Sequence, residues 1–75
     1  MANVIEVLKS IHPEIDFSKT EGLIDNGILD SFDIVALVGE LNLTFEINIS
    51  VEHLVPENFN SVKAIEKLVR QLRDL

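Results

Sequence analysis

Three stretches of this chain set apolar residues at helical spacing, and the one stretch that alternates like a strand has no partner to pair with. Val4, Ile5, Leu8 and Ile11 form the first series, and Pro13 disfavours the helical conformation at His12, so a helix is expected over about residues 2 to 12. Ile34, Leu37, Val38, Leu41 and Phe45 form the second, the inner face of a helix that should run to about Phe45. Val62, Ile65, Leu68, Val69 and Leu72 form the third, opened by Asn60 or Ser61 as a cap. Glu46-Ile47-Asn48-Ile49-Ser50 alternates, but a lone strand is not stable, so it reads as an extended connector anchored by Ile47 and Ile49. Ser50 is then placed to cap a short helical turn through Leu54, interrupted near Pro56, with Phe59 supplying a further buried group. The expected fold is all-α: a small bundle of three main helices and one short one, in a single domain over residues 1–75.

Between the first two helices lies a long connection, Pro13 to Leu29, without clear periodicity and punctuated by Asn26-Gly27. Its Ile15, Phe17, Leu23, Ile24 and Ile28 are enough to pin it to the core, and a loop of this length is usually functional or tightly packed. A chain of 75 residues sits near the lower size at which a core alone holds a fold, since only roughly 60% of the unfolded surface is removed from water. There is no cysteine, so neither a disulfide nor a thiolate metal site can help. No basic segment followed by a continuous apolar run marks the start Met1-Ala2-Asn3-Val4, and the apolar positions are too interrupted to span a membrane, so a soluble cytoplasmic monomer is expected.

Charge is unevenly placed. From Thr20 to Val62 there is no Lys or Arg but eight acids, while four of the six cations (Lys63, Lys67, Arg70, Arg73) stand in the last segment. A net charge of −7 opposes contact with nucleic-acid phosphates and favours basic protein partners. The second helix adds a further signal. Opposite its inner face, Phe32, Ala36, Gly39 and Leu43 also fall together, flanked by Asp33 and Glu40, so this helix is either sandwiched in the bundle or offered to a partner. Gly39 costs such a helix roughly 1 kcal/mol relative to alanine, with close approach of something as the one evident use.

The chemistry centres on Leu29-Asp30-Ser31-Phe32, which puts a hydroxyl in the first turn of the second helix. Asp30 or Ser31 can cap that helix, and Asp33 adds negative charge near the positive end of its dipole. Nucleophilic catalysis by Ser31 would need a base, and the two imidazoles, His12 and His53, lie in no catalytic motif. Asp25-Asn26-Gly27 lacks the ligand pattern of a calcium loop, and there is no glycine-rich phosphate loop. What remains is modification of Ser31 itself, since unpaired amides and the helix dipole would welcome a phosphodiester there. The alternative is an ordinary capping box in an acidic helical adaptor that docks on proteins without covalent cargo.

Over nearly its whole length the chain resembles an acyl carrier protein. The resemblance is carried by Gly27-Ile28-Leu29-Asp30-Ser31-Phe32-Asp33-Ile34-Val35 after a long loop, by Phe45, by Ile47 and Ile49, and by Asn60-Ser61-Val62. It implies a four-helix carrier, not an enzyme, in which Ser31, preceded by Asp30, receives 4′-phosphopantetheine from coenzyme A through a magnesium-dependent phosphopantetheinyl transferase. The thiol of that arm would hold an acyl or aminoacyl group as a thioester, loaded by an acyl- or aminoacyl-activating (adenylating) enzyme and passed to an acyltransferase or synthase. Phe32, Val35, Ala36 and Gly39, with Asp33 and Glu40 beside them, match the helix that partner enzymes of the family read. Leu29-Asp30-Ser31 replaces the Ala-Asp-Ser-Leu typical of fatty-acid carriers, and Phe45-Glu46 replaces their Phe-Gly. The Leu-Asp-Ser form is closer to D-alanyl carrier proteins and to stand-alone carriers of specialised pathways, and both acyl and aminoacyl cargo stay open.

Overall fold

A computed structural model describes residues 3–74. Its order is α1 (Val4–Ile11), α2 (Ser31–Phe45), a single 3-10 turn (Val51–His53), α3 (Pro56–Phe59) and α4 (Val62–Arg73), with no strand among the described residues. α1 packs against α2 and α4, and α4 also packs against α2 and α3. The expected all-α bundle with three main helices and one short one is what forms.

Boundaries follow from local hydrogen bonding. α1 begins two residues later than the spacing predicts, because Asn3 is extended (φ −135°) and its side chain accepts from the Glu6 amide at 2.9 Å; the expected start at Ala2 lies outside the described residues. It ends at Ile11, and His12 leaves the helix at φ −131° just before Pro13. Val7, absent from the predicted inner face, is buried beside Val4 and Leu8. α4 is capped by Ser61, whose Oγ accepts from the Ala64 amide at 3.0 Å, and not by Asn60.

Two details correct the expected course between α2 and α4. The Ser50 hydroxyl accepts no first-turn amide; it lies 3.1 Å from His53 Nδ1, which also accepts from the Ser50 amide. Pro56 does not interrupt a turn but opens α3 at its first position, where the missing N–H costs nothing and the fixed φ already suits a helix.

The core is continuous through the bundle and the long loop. Leu8, Leu37, Leu41, Ile65, Leu68 and Phe59 meet Phe17, Leu23 and Leu29 from the 13–30 segment, with Ile49 from the connector. Asn60 staples that segment down. Its backbone oxygen accepts from the Leu23 amide at 2.8 Å, its Oδ1 accepts from the Ile24 and Asp25 amides at 2.9 and 3.1 Å, and its Nδ2 donates to Asp25 Oδ2 at 2.9 Å. The loop also folds on itself through Gly22, which stands at φ +62°, where other residues are strained; a Cβ there would also sit 2.6 Å from Asn26 Nδ2 and force that side chain to shift. The long loop is thereby a packed element that delivers Leu29 into the core and Asp30 to the start of α2.

Candidate functional site

Asp30 is extended (φ −98°, ψ −175°) and caps α2: its Oδ1 accepts from the Asp33 amide at 2.9 Å, and the Asp33 Oδ2 accepts from the Asp30 amide at 3.1 Å. This reciprocal cap decides the role open to the neighbouring serine. Because Asp30 and not Ser31 supplies the side-chain cap, the exposed Ser31 hydroxyl at the first helical position takes part in no hydrogen bond among the described residues. The Ile34 amide is satisfied by the Asp30 carbonyl at 3.0 Å, but the amides of Ser31 and Phe32 find no acceptor among the described residues. An exposed hydroxyl, two unpaired N–H groups and the positive end of a fifteen-residue helix coincide at one point.

Beside Ser31 runs a groove of about 230 Å³, walled by Ile24, Leu29, Ile34, Leu54, Val55 and Phe59. Leu29 and Phe59 belong to the buried core, so the groove has an apolar floor that opens at the serine. Leu37 and Leu41 are fully buried packing residues and do not reach it. A larger cavity, about 320 Å³, is lined by Asn3, Val4, Phe45, Val69, Arg70 and Arg73. It lies at the other end of α2, about 21 Å along the helix axis from Ser31, and the Arg73 guanidinium covers the Phe45 ring there at 5.9 Å.

The other residues singled out on α2 separate into two sets. Phe32, Val35, Ala36, Gly39 and Glu40 are exposed, Phe32 and Val35 at 84% and 72%, and Leu43 continues the strip at 79%. The second apolar face is therefore not sandwiched in the bundle. A Cβ added at Gly39 would meet nothing within 4 Å, so no packing within the chain requires the glycine. Asp33 differs from these. Its side chain is 19% exposed, shared between the cap and His12, whose Nε2 lies 2.9 Å from Asp33 Oδ2.

His12 is the residue that spacing alone missed. Its Nδ1 donates to Glu14 Oε1 at 2.9 Å, while Nε2 is shielded from water and lacks a well-aligned acceptor, so charge attraction at close range joins it to Asp33. The Asp33 carboxylate, and after it Glu14, holds the His12 pKa above its ordinary value. His12 in turn, with the Asp30 amide, holds the Asp33 carboxyl below the usual range. The signal was the pairing of His12-Pro13 with Asp33, legible only once the long loop is known to fold back. His53 pairs with its neighbours Ser50 and Glu52, and no cluster of metal-ligating side chains occurs among the described residues. No helix among them is long and apolar enough to cross a membrane.

No family model matches the chain, and no solved structure matches it with significance. Individual proteins do. It is 32% identical over 74 residues to a D-alanyl carrier protein of Streptococcus sanguinis, covering 97% of this chain and 94% of the relative. The D-alanyl carrier protein of Streptococcus thermophilus gives the same identity and coverage, and that of Streptococcus uberis is 38% identical over 56 residues, 75% of this chain and 71% of its own. With matches spanning nearly the full length of both partners, on an all-helical fold, this chain belongs to the D-alanyl carrier protein family of stand-alone carrier proteins.

Proposed function

We propose that Ser31 is the attachment point of a 4′-phosphopantetheine arm whose thiol carries an aminoacyl or acyl group as a thioester. The observation that carries this reading is the unspent Ser31 hydroxyl, left free because the neighbouring Asp30 and Asp33 do the capping. Attachment joins Ser31 Oγ to the phosphorus of coenzyme A that bears the pantetheine; the phosphoanhydride bond breaks, adenosine 3′,5′-bisphosphate leaves, and the serine proton is lost to solvent or to the transferase. The residues present suit the resulting phosphodiester: the Ser31 and Phe32 amides would be donors left free for it in the first turn, and the helix dipole would favour its charge. The arm supplies the thiol that a chain without cysteine cannot.

Catalysis belongs, in this reading, to the enzymes that dock: a phosphopantetheinyl transferase, an adenylating loading enzyme, and an acyltransferase or synthase downstream. The exposed strip Phe32, Val35, Ala36, Gly39 with Glu40 beside it is the surface offered to them. The names of the relatives favour D-alanine as cargo over a long acyl chain. Incubation with coenzyme A, magnesium and a broad-specificity transferase should raise the intact mass by one phosphopantetheine, and Ser31→Ala should abolish the gain. An unchanged mass beside a control carrier that is converted would end the proposal; a docking adaptor without cargo would instead keep its biological activity in Ser31→Ala.

A further inference from the structure

Outside Ser31 and its groove, titratable side chains from separate elements meet where His12, Glu14 and Asp33 come together. Pro13 forces the chain out of α1 at His12, and the ring lands against the first turn of α2. Both facing groups are carboxylates: Glu14 from the loop at Nδ1 and Asp33 from α2 at Nε2, each at 2.9 Å. α4 also packs on α1 but contributes no ion pair to His12. A carboxylate accepts and does not donate, so a ring with a carboxylate oxygen 2.9 Å from each nitrogen is favoured as the imidazolium, by a hydrogen bond at Nδ1 and by charge attraction at Nε2. The C-terminal end of α1 favours the same charge.

Asp33 cannot be moved without consequence. The oxygen that faces His12 is the one accepting from the Asp30 amide, and the Asp33 amide returns a bond to Asp30 Oδ1. His12, Asp33 and Asp30 thus form a chain of contacts that ends on the residue preceding Ser31. We propose that His12 is a positioning residue for the modification of Ser31: as an imidazolium it holds Asp33 in the cap that fixes the first turn of α2, and on losing its proton it lets that turn loosen. The inference rests on Ser31 being the attachment site. Its direction is set, because His12 is held protonated above its ordinary range and the hold is released only as pH rises through that raised value.

Two measurements on the intact chain test it. In amide-resolved NMR of the unmodified protein, the Ser31 and Asp33 signals should shift with the same pH midpoint as the His12 ring protons, and the shift should vanish in His12→Gln. In transferase kinetics, the ratio of kcat/KM for wild type over His12→Gln at each pH cancels the transferase's own profile. That ratio should be about fivefold below the His12 midpoint and approach unity above it, while His12→Arg, which keeps its charge, should hold its rate at the alkaline end. A ratio that stays flat, or amides at Ser31 and Asp33 that ignore the His12 titration, overturns the proposal. If no pH allows wild type to be modified while a control carrier is, the carrier reading falls and the role toward Ser31 with it; the NMR result, which needs no transferase, separates that failure from an absent His12 contact.

Discussion

Replacing Asn60 with alanine removes an acceptor from two amides of the long loop and a donor from Asp25 in one step. Three lost bonds in a half-buried setting should cost about 2 kcal/mol, read as a lower denaturation midpoint at unchanged slope. Asn60→Asp separates the parts, since it keeps the acceptor for the Ile24 and Asp25 amides but sets a carboxylate against Asp25; it should be no better than alanine at neutral pH and improve on acidification. His12 and Asp33 give a second residue-scale expectation. The raised His12 pKa means a contribution complete below 6.5 and lost as pH rises through the raised value. The lowered Asp33 pKa means one complete above 3.8 and lost as pH falls through the lowered value. The stability difference between wild type and His12→Gln should therefore be greatest between those limits and shrink on both sides, and a difference that grows toward alkaline pH would show the sign to be wrong.

Among the elements, α2 carries two residues that its own stability does not favour. Glu46 ends the helix at φ 55°, ψ 49°, the left-handed conformation that glycine adopts freely and other residues adopt at a cost. Glu46→Gly should raise stability by about 1 kcal/mol, seen as a higher melting temperature with unchanged helix content. Gly39→Ala should add a similar amount, because alanine is the better helix former by roughly 1 kcal/mol and its Cβ enters open space. If the strip from Phe32 to Leu43 is a docking face, the same substitution should weaken turnover with partner enzymes while strengthening the free carrier. Periodicity made α2 and α4 legible from sequence almost to the residue, because their apolar faces are long and their caps are strong. The stretch from Ser50 to Asn60 was less so: its turns depend on His53 and Asn60 reaching residues that spacing does not connect, and Asn60 looked like a cap because it precedes Ser61. At the site, the dipeptide Asp30-Ser31 was visible, but which of the two caps and which stays free is fixed only by geometry.

The described residues span 31 × 27 × 20 Å, and the chain carries a net charge of −7, with thirteen acids against six Lys and Arg. At about 0.01 M salt the screening length is about 30 Å, so every carboxylate feels the others across the bundle; at about 0.15 M it is about 8 Å and only neighbours interact. Attraction has few places to offset this repulsion, because the close ion pairs among the described residues all involve a histidine. Four of the six cations stand on α4, so the acidic stretch between Thr20 and Val62 has no cation of its own. Added salt screens the long-range repulsion fully and the partly buried His12–Asp33 contact much less, so the balance moves toward the folded state. Melting temperature should rise by several degrees between these salt levels, as expected if the screened repulsion is on the order of 1 kcal/mol for a domain of this size. Potassium chloride should act like sodium chloride, since the effect is screening and not a bound ion. A melting temperature that falls with either salt would mean that attraction, not repulsion, dominates the folded charge distribution, and the same acidic surface would then be a source of stability instead of a cost.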